Sequence, residues 1–332
     1  MCFFFFQAED GIRDLVRSRG LGDVYKRQAL RDFIGYAMQN WKVKPQYVLL
    51  AGDGTYDYRN ISTKQNQFVP TYQTKDDYLT STASSAHDAF FVRVVGNDKL
   101  IDLAISRIPV DNNNDFDIIL DKIKNYEGKN NYGLWRNTVM LVSDDAWSER
   151  GFNGSESFVD QTESLWKQIP TWLEPKKIYL QDYNTEQVIG RRKPAATQDL
   201  LESFQKGAVI VNWNGHGNPN VWAHEKLLEK DQFIPQLTND STLSFVSAVT
   251  CNFGHFDDPN VLSGAEDFIN HKGGGAIAVS YTHLRAHETV LDLVCRLLLE
   301  KKKPKVEHKR IKTIIHHKQT TTINKLLNLN RQ

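Results

Sequence analysis

The sequence predicts an α/β fold built on a mostly parallel β-sheet with helices on both faces. Short apolar runs alternate with longer stretches of helical periodicity, which is the pattern of parallel α/β sheets. The runs have few polar interruptions, as expected for strands that are covered on both faces. We predict seven strands in chain order: Tyr47–Ala51, Leu103–Ser106, Thr138–Val142, Lys177–Leu180, Ala208–Asn212, Ser244–Val249 and Ala276–Val279.

The stretches between these runs predict five helices. Asn114 and Ser155 stand just before two of them and have side chains that commonly cap helix N-termini. No linker rich in Pro, Gly or Ser divides residues 29–279, so the sequence predicts one domain there. The predicted helices are Leu30–Asn40, Asp115–Tyr126, Glu156–Gln168, Ala196–Gln205 and Gly264–His271.

Both ends of the chain differ from the rest. Residues 3–28 and 280–303 resemble the translated read-through of a sequencing adapter, and the tail to residue 332 is basic and weakly periodic, as in disordered segments. We therefore expect residues 1–28 and 280–332 to form no domain, and residues 29–279 to be a domain truncated at its C-terminus. The alternative is a frayed N-terminal segment and an amphipathic helix around Leu291–Leu298.

Charge and hydropathy exclude two function classes. Of 41 Lys and Arg residues, 5 lie in residues 1–28 and 12 in 280–332; of 40 Asp and Glu residues, 4 lie in each end. The central 29–279 segment therefore holds 24 basic and 32 acidic residues, which argues against a nucleic-acid-binding surface. The sequence shows neither a run of about 18 apolar residues that would predict a transmembrane helix nor a recognisable signal peptide.

Cys251 is the one cysteine within residues 29–279, because Cys2 and Cys295 lie in the terminal segments. A single cysteine excludes a disulfide scaffold and a zinc site built on cysteines there. Lone cysteines are more often small buried apolar residues than nucleophiles, so the neighbouring sequence must distinguish the two roles.

Two predicted strands end in residues whose side chains are candidates for catalysis. One runs into Asn214-Gly215-His216-Gly217, and the other into Thr250-Cys251-Asn252. Ligands of open α/β sheets bind outside the carboxyl ends of the strands, so adjacent strands would bring His216 and Cys251 together. An imidazole can accept the thiol proton and stabilise the thiolate, and the N–H groups of Gly217 and Cys251 could face a developing oxyanion. Turn and core roles remain the alternatives, and Trp213, Asn214 and Asn252 are candidates to line a substrate pocket.

The segments NWNGHG and VTCNFGHFDDP, separated so that His216 precedes Cys251 by 35 residues, resemble the gingipain family of cysteine peptidases. The segments YVLLAGDGTYDYRN, VPTYQTKDDY, IDLAISRIPV and VMLVSDDA extend the resemblance over residues 29–279, and it is closest to the PorU-type sortase of the bacterial type IX secretion system. The resemblance implies a caspase-like fold, a Cys–His dyad that needs no cofactor, and cleavage of a C-terminal sorting domain from secreted cargo. It also implies a cell-surface or outer-membrane location and contact with components of that secretion system.

The resemblance assigns further roles residue by residue. His216 and Cys251 match the catalytic pair. The family pattern also has acidic groups near the histidine: Asp145 matches one of them and would orient the histidine, and Glu156, less firmly aligned, is the candidate for the second. Gingipain-like domains bind calcium, which implies a structural Ca²⁺ held by Asp76, Asp77 and Asp257. After Val279 this chain has SYTHLRAHE where the family has a loop that walls the substrate pocket, so the fragment is expected to lack that wall, and an inactive fragment is an open alternative.

Three alternatives stay open from the sequence. His255 could replace His216 as the base, and His224 is more typical of a surface histidine. The chain could be a caspase-like scaffold that binds a partner without catalysis. A metal-dependent hydrolase using the Asp pairs and His216 ranks last, because no metal-ligand spacing such as HExxH is present.

Overall fold

The computed structural model describes residues 3–6, 22–58, 61, 63, 68–75, 84–98, 100–128, 131–145, 147–148, 151–152, 157–187 and 190–281. The chain folds into two compact units. The first contains the described residues of Met1–Phe116 and His255–Leu262, and the second those of Asp117–Gly254 and Ser263–Lys303. Within the described ranges, no helix is long and apolar enough to cross a membrane. The domain limits of 29–279 stay a prediction, and the segment around Leu291–Leu298 lies outside the described residues.

The first unit is built on a three-stranded parallel sheet in the order β1-β2-β5. Its core includes Ile34 from the helix α1, Val48 and Leu50 from β2, Phe91 from a 3₁₀ turn, and Ile105 from β5. The antiparallel hairpin β3–β4 lies outside this sheet. The elements are β1 (Phe3–Phe6), α1 (Gly22–Asn40), β2 (Tyr47–Ala51), β3 (Gln73–Lys75), β4 (Ser84–Ala86) and β5 (Ala104–Ile108).

A buried ion pair joins β5 to the loops of the first unit. The guanidinium of Arg107 donates to both carboxylate oxygens of Asp88 at 3.0 Å, and the two side chains are 2% and 0% exposed. Arg107 also donates to the backbone carbonyls of Gly52, Val69 and Pro70. Because so many acceptors meet one cation, Arg107 organises the loop that follows β2.

Replacing Arg107 with methionine is expected to lower the free energy of unfolding by about 3–5 kcal/mol, because Asp88 stays buried without its guanidinium partner. Urea denaturation measures the change. Lys124→Met is the matched control: its pair with Asp121 is 71% and 69% exposed, so the loss should be about 0–1 kcal/mol. Equal losses in the two variants would contradict the assigned role of Arg107.

The second unit is built on a five-stranded, all-parallel sheet in the order β16-β15-β12-β6-β9. Three short antiparallel pairs accompany it: β7–β8, β10–β11 and β13–β14. The strands are β6 (Thr138–Ser143), β7 (Trp147–Ser148), β8 (Gly151–Phe152), β9 (Glu174–Tyr179), β10 (Glu186–Gln187), β11 (Arg191–Arg192), β12 (Ile210–Asn214), β13 (Val221–Trp222), β14 (Leu228–Glu229), β15 (Ser244–Val249) and β16 (Ala276–Tyr281). The helices are α2 (Asn113–Glu127), whose first residues belong to the first unit, α3 (Phe158–Trp166), α4 (Pro194–Lys206), α5 (Lys230–Phe233) and α6 (Gly264–Asn270).

The predicted fold class, α/β with a mostly parallel sheet, is confirmed, and each predicted strand and helix overlaps an observed one. Two predicted caps are wrong. The Asn112 side chain, rather than Asn114, accepts from the backbone N–H of Asp115 at 2.9 Å. Ser157, rather than Ser155, is the N-cap of α3 and accepts from the N–H of Asp160. Each helix begins two residues away from the predicted position, α2 earlier and α3 later, and the capping side chain moves with the start.

The helix α6 holds the chain that follows Cys251. A reciprocal capping box between Ser263 and Glu266 fixes its start. The N–H of Ala265 donates to the carbonyl of Phe253 at 3.1 Å, and the N–H of Gly264 donates to the carbonyl of Pro219 at 2.7 Å. The start of α6 therefore ties the loop after β15 to the loop after β12.

The other end of α6 is capped by a buried lysine. Lys122 on α2 donates to the carbonyls of Phe268 and Ile269 at 3.2 and 2.6 Å. These are carbonyls of the last turn, which a cation stabilises. Burial lowers the pKa of Lys122 to about 7.

Candidate active site

The register of the sheet aligns His216 with Cys251. The strands β12 and β15 are parallel neighbours, paired from Ile210 with Phe245 to Asn214 with Val249. His216 and Cys251 each follow two residues after the last pair, and the N–H of Gly215 continues the ladder to the carbonyl of Val249 at 3.2 Å. The 35-residue spacing in the sequence thus equals the register offset of the two strands. The two residues leave neighbouring strands at the same edge of the sheet, where parallel strands are about 4.8 Å apart.

The glycines around His216 permit close approach of the loops. A Cβ on Gly217 would lie 2.5 Å from the Thr250 hydroxyl oxygen, so the histidine loop packs directly against the residue before Cys251. A Cβ on Gly215 would lie 2.4 Å from the Cβ of Asp144 and 2.6 Å from the Trp213 ring. A larger residue at Gly215 would force Asp144 or Trp213 to shift, and one at Gly217 would force Thr250 to shift.

Gly215→Ala is expected to push Asp144 away from His216 and to reduce any activity of the site by about 100-fold or more, since displacements near 1 Å have effects of that size. Overpacking should also lower the unfolding free energy by about 1–3 kcal/mol. Gly35→Ala in α1 is the control, because its Cβ would meet Val94 at an ordinary 3.5 Å. That variant should be neutral or more stable; similar losses in both variants would contradict the packing argument.

Asp144 lies at the end of β6, the other neighbour of β12. Asn214 pairs with Ser143, and the N–H of Asp144 donates to the carbonyl of Asn214 at 3.0 Å. The Oδ2 atom of Asp144 accepts from the backbone N–H of His216 at 2.9 Å and lies 2.9 Å from its Nδ1. A carboxylate only accepts, so Nδ1 carries the proton of this bond and Nε2 is the ring nitrogen available for proton transfer.

The electrostatics of the pair favour a charged imidazole. The hydrogen bond that Nδ1 of His216 donates to Asp144 raises the pKa of His216 above its ordinary value, and partial burial opposes the rise. Burial raises the pKa of Asp144, whereas the bonds from His216 lower it. The Asp144 side chain is 0% exposed and that of His216 is 25% exposed, so the ring reaches solvent while its partner does not.

The segment at Cys251 has an unusual backbone. Cys251 is half-buried and carries a thiol. Asn252 directly after it has φ of +49°, a left-handed conformation that asparagine adopts more readily than most other non-glycine residues. A Cβ on Gly254 would lie 2.1 Å from the Tyr281 ring, so the loop turns closely over the end of β16.

The structure corrects the predicted orienting acid. Asp144, one residue earlier than the predicted Asp145, contacts the imidazole. The Oδ2 atom of Asp145 instead accepts from Arg191 at 3.1 Å and lies 3.4 Å from the Nζ of Lys193. The register explains the difference, because Asp144 is the residue level with Gly215 beside His216. The other predicted acid, Glu156, lies outside the described residues.

Two of the three predicted pocket residues are buried. Trp213 is 0% exposed and stacks on Trp222 with ring centroids 5.2 Å apart. Asn214 is 2% exposed and its amide donates to the carbonyl of Phe158 and to Gln161. Both therefore belong to the core under the strand ends and do not line an open pocket. Asn252 is exposed next to Cys251, and its pocket role stays a prediction.

Glu225, Arg191 and Lys193 were not predicted from the sequence, yet they lie at this site. Asp144, Asp145 and Glu225 bring one carboxylate oxygen each to within 4.8 Å of one another, a spacing that could hold a metal ion. Arg191 bonds Glu225 and Asp145, and Lys193 is paired with Asp145, so two cationic side chains already neutralise these carboxylates.

The predicted calcium ligands are only partly described. Asp76 and Asp77 lie outside the described residues. Asp257 is buried, its Oδ2 accepts from Gln73 at 2.7 Å, and no hydrogen-bond donor reaches its Oδ1 among the described residues. The Nε2 atom of His255 lies 3.5 Å from that Oδ1 without forming a hydrogen bond to it. An oxygen with no hydrogen-bond donor fits a cation, and the calcium site stays a prediction.

His224 is close to the candidate base. Its ring lies 4.9 Å from that of His216, and Phe158 covers another side of His216 at 5.2 Å, edge to face. Phe158 and His224 therefore restrict the orientations of the His216 ring.

Comparison with known proteins identifies the family. Gingipain R2 of Porphyromonas gingivalis is 21% identical over 257 residues, 76% of this chain and 30% of its own length; Gingipain R1 is 21% identical, with 22% of its length covered. The chain thus spans less than a third of these curated relatives. The crystal structure of the Arg-specific cysteine proteinase gingipain R (RgpB) superimposes with a TM-score of 0.63 at 18% identity, covering 82% of this chain and 58% of that one. The complex of the Porphyromonas gingivalis RgpB pro- and mature domains gives 0.55 at 17% identity, covering 81% and 58%.

The sequence model of Peptidase family C25 matches residues 10–293, which include every strand of the five-stranded sheet and all three residues aligned at its edge. With the fold also shared with gingipain R, this chain belongs to peptidase family C25, the gingipain family.

Proposed function

We propose that this chain is the catalytic core of a cysteine endopeptidase in which Cys251 is the nucleophile, His216 the general base and Asp144 the group that orients His216. The observation that supports this most is the convergence of three adjacent parallel strands, β6, β12 and β15, on these three residues. Membership of a cysteine peptidase family supports the same assignment.

The proposed reaction begins with transfer of the Cys251 proton to Nε2 of His216. The bond from Nδ1 to Asp144 stabilises the resulting imidazolium. The thiolate attacks the peptide carbonyl carbon, and the carbonyl oxygen takes the negative charge, for which the N–H groups of Cys251 and Gly217 are the proposed donors. His216 then returns the proton to the leaving amine, and a thioester to Cys251 remains. Water, or a second amine in a transfer reaction, cleaves the thioester.

The finer proposal is a sortase that removes a C-terminal sorting domain from secreted cargo. It is supported by the segments that resemble the PorU-type sortase, including YVLLAGDGTYDYRN and VTCNFGHFDDP. On this proposal the substrate is a secreted polypeptide, the location is the cell surface or outer membrane, and the partners are type IX secretion components. The chemistry uses no cofactor, and Ca²⁺ is proposed only as a structural ion.

A peptide-library digest tests the proposal. The purified chain is incubated with mixed peptides at neutral pH, with and without prior iodoacetamide, and the products are sequenced by mass spectrometry. We expect cleavage that iodoacetamide abolishes and that a chelator leaves intact at short times. Cleavage that survives alkylation, or no cleavage by a folded chain, would contradict the proposed function.

A further inference from the structure

Arg191, Glu225 and Asp145 form a cluster of charged side chains next to Asp144, on the side of His216 that bonds Asp144. Arg191 on β11 donates from Nη2 to Oδ2 of Asp145 at 3.1 Å and from Nε to Oε1 of Glu225. Its guanidinium lies over the Trp147 ring, 4.6 Å from the centroid. A planar cation stacked on an aromatic ring and bonded to two carboxylates is held in one orientation.

Glu225 is placed by a constrained loop. Ala223 and Lys226 on either side of it have φ of 62° and 54°, which is uncommon for residues other than glycine. The N–H of Ala223 donates to the carbonyl of His216 at 2.9 Å. Glu225 is 1% exposed, and among the described residues its Oε2 has no hydrogen-bond partner. The loop thus directs a buried carboxylate towards Arg191 and ties it to the backbone of His216.

The charges around His216 nearly balance. The acidic groups on this side are Asp144 and Asp145 after β6 and Glu225 in the constrained loop, and the cations are Arg191 and Lys193. The imidazole of His224 also contacts the His216 ring, and the Cys251 thiol lies at the end of the neighbouring strand. Lys193 is also held by the carbonyls of Leu180 and Tyr183. Without Arg191, three carboxylates would face the imidazole with one cation among them.

Asp145 and Glu225 both raise the pKa of His216 through their charge, after the larger effect of Asp144. A base whose pKa is too high stays protonated and cannot accept a proton from the thiol at neutral pH, and one whose pKa is too low cannot hold the proton. The Arg191–Glu225 contact therefore controls both where the histidine loop lies and how strongly its ring binds a proton.

We propose that Arg191 and Glu225 form a positioning pair that fixes the loop carrying His216 and balances the charge around its imidazole. Its role in catalysis rests on the proposed function, whereas the charge balance does not. Neither residue is proposed to touch the substrate.

The test is a titration of His216 by NMR in the full chain, with the resonance assigned from its loss in His216→Gln. Arg191→Gln should raise the pKa of His216 by about 1, because one positive charge is lost within the cluster. Glu225→Gln should lower it by a similar amount, and the double variant should return close to wild type. Lys206→Gln, which removes the same charge from a side chain that is 78% exposed, should leave the pKa unchanged.

Opposite shifts that cancel in the double variant would support the pair. No shift in folded Arg191→Gln, or shifts of the same sign in the two single variants, would overturn it. Arg191→Lys should bring the pKa of His216 part of the way back to its wild-type value, because the positive charge is kept. It should restore the position of the His216 loop less well, because lysine cannot bridge two carboxylates as guanidinium does. If the wild type cleaves a peptide, Arg191→Gln should reduce kcat and leave KM unchanged. If it cleaves none, the proposed function fails while the titration still decides the charge balance.

Discussion

Cys251→Ala is expected to lower peptide cleavage by at least about 10⁴-fold, because the substitution removes the thiol that forms the proposed covalent intermediate. The alanine variant should fold as wild type does, since it removes one atom from a half-buried side chain. Initial rates with the best peptide from the digest, at saturating substrate, measure the effect. A covalent thioester, trapped by acid quench and detected by intact mass, should form in wild type and be absent in the variant.

Ser247→Ala is the matched control for this change. It also removes a single heavy atom, from the strand β15 that leads to Cys251, and the Ser247 hydroxyl is buried without a hydrogen-bond partner among the described residues. Its activity should stay close to wild type. Retained cleavage in folded Cys251→Ala would exclude Cys251 as the nucleophile, and an equal loss in Ser247→Ala would assign the effect to packing.

Asp144→Asn is expected to reduce kcat by about 10⁴-fold, because an amide can donate to Nδ1 and stabilise the wrong imidazole tautomer. The pKa of His216 should fall, since the carboxylate that raises it is lost. Asp145→Asn is the control, because that carboxylate bonds Arg191 and Lys193 rather than the ring. A larger loss in Asp145→Asn than in Asp144→Asn would reverse the assigned roles.

The same pair gives the stability a pH dependence of known sign. The pKa of His216 is raised in the folded state, so protonated His216 paired with Asp144 stabilises the fold. This contribution to the free energy of unfolding is fully present below the ordinary histidine pKa of about 6.5. It is lost as the pH rises through the raised pKa of the folded protein. Urea denaturation of wild type and Asp144→Asn should therefore differ more at pH 6 than at pH 9. A difference that grows with pH would contradict the assigned hydrogen bond.

The strand ends could be predicted from the sequence because buried parallel strands have a strong signal. Apolar runs located β12 and β15, and glycines next to His216 marked a turn rather than a continued strand. The 35-residue spacing then had a physical meaning, because it equals the register offset between the two strands.

Other parts of the site had no local signal. Asp144 and Asp145 are adjacent and chemically identical, and only the register of β6 against β12 decides which one lies beside His216. Trp213 could be placed at a pocket or in the core equally well, and its stacking on Trp222 depends on a loop that returns over the sheet. Arg191 and Glu225 are 34 residues apart on short irregular elements, so their contact leaves no periodicity in the sequence.

The proposed reaction requires that the Cys251 thiol transfers its proton to His216. The most direct measurement is the rate of Cys251 alkylation by iodoacetamide as a function of pH, in wild type and in His216→Gln, followed by peptide mass mapping. A histidine-paired cysteine should react as a thiolate well below the free-cysteine pKa of about 8.5, and the low-pH reactivity should vanish in His216→Gln. A wild-type profile with a midpoint near that of a free thiol, unchanged by the histidine substitution, would contradict the account.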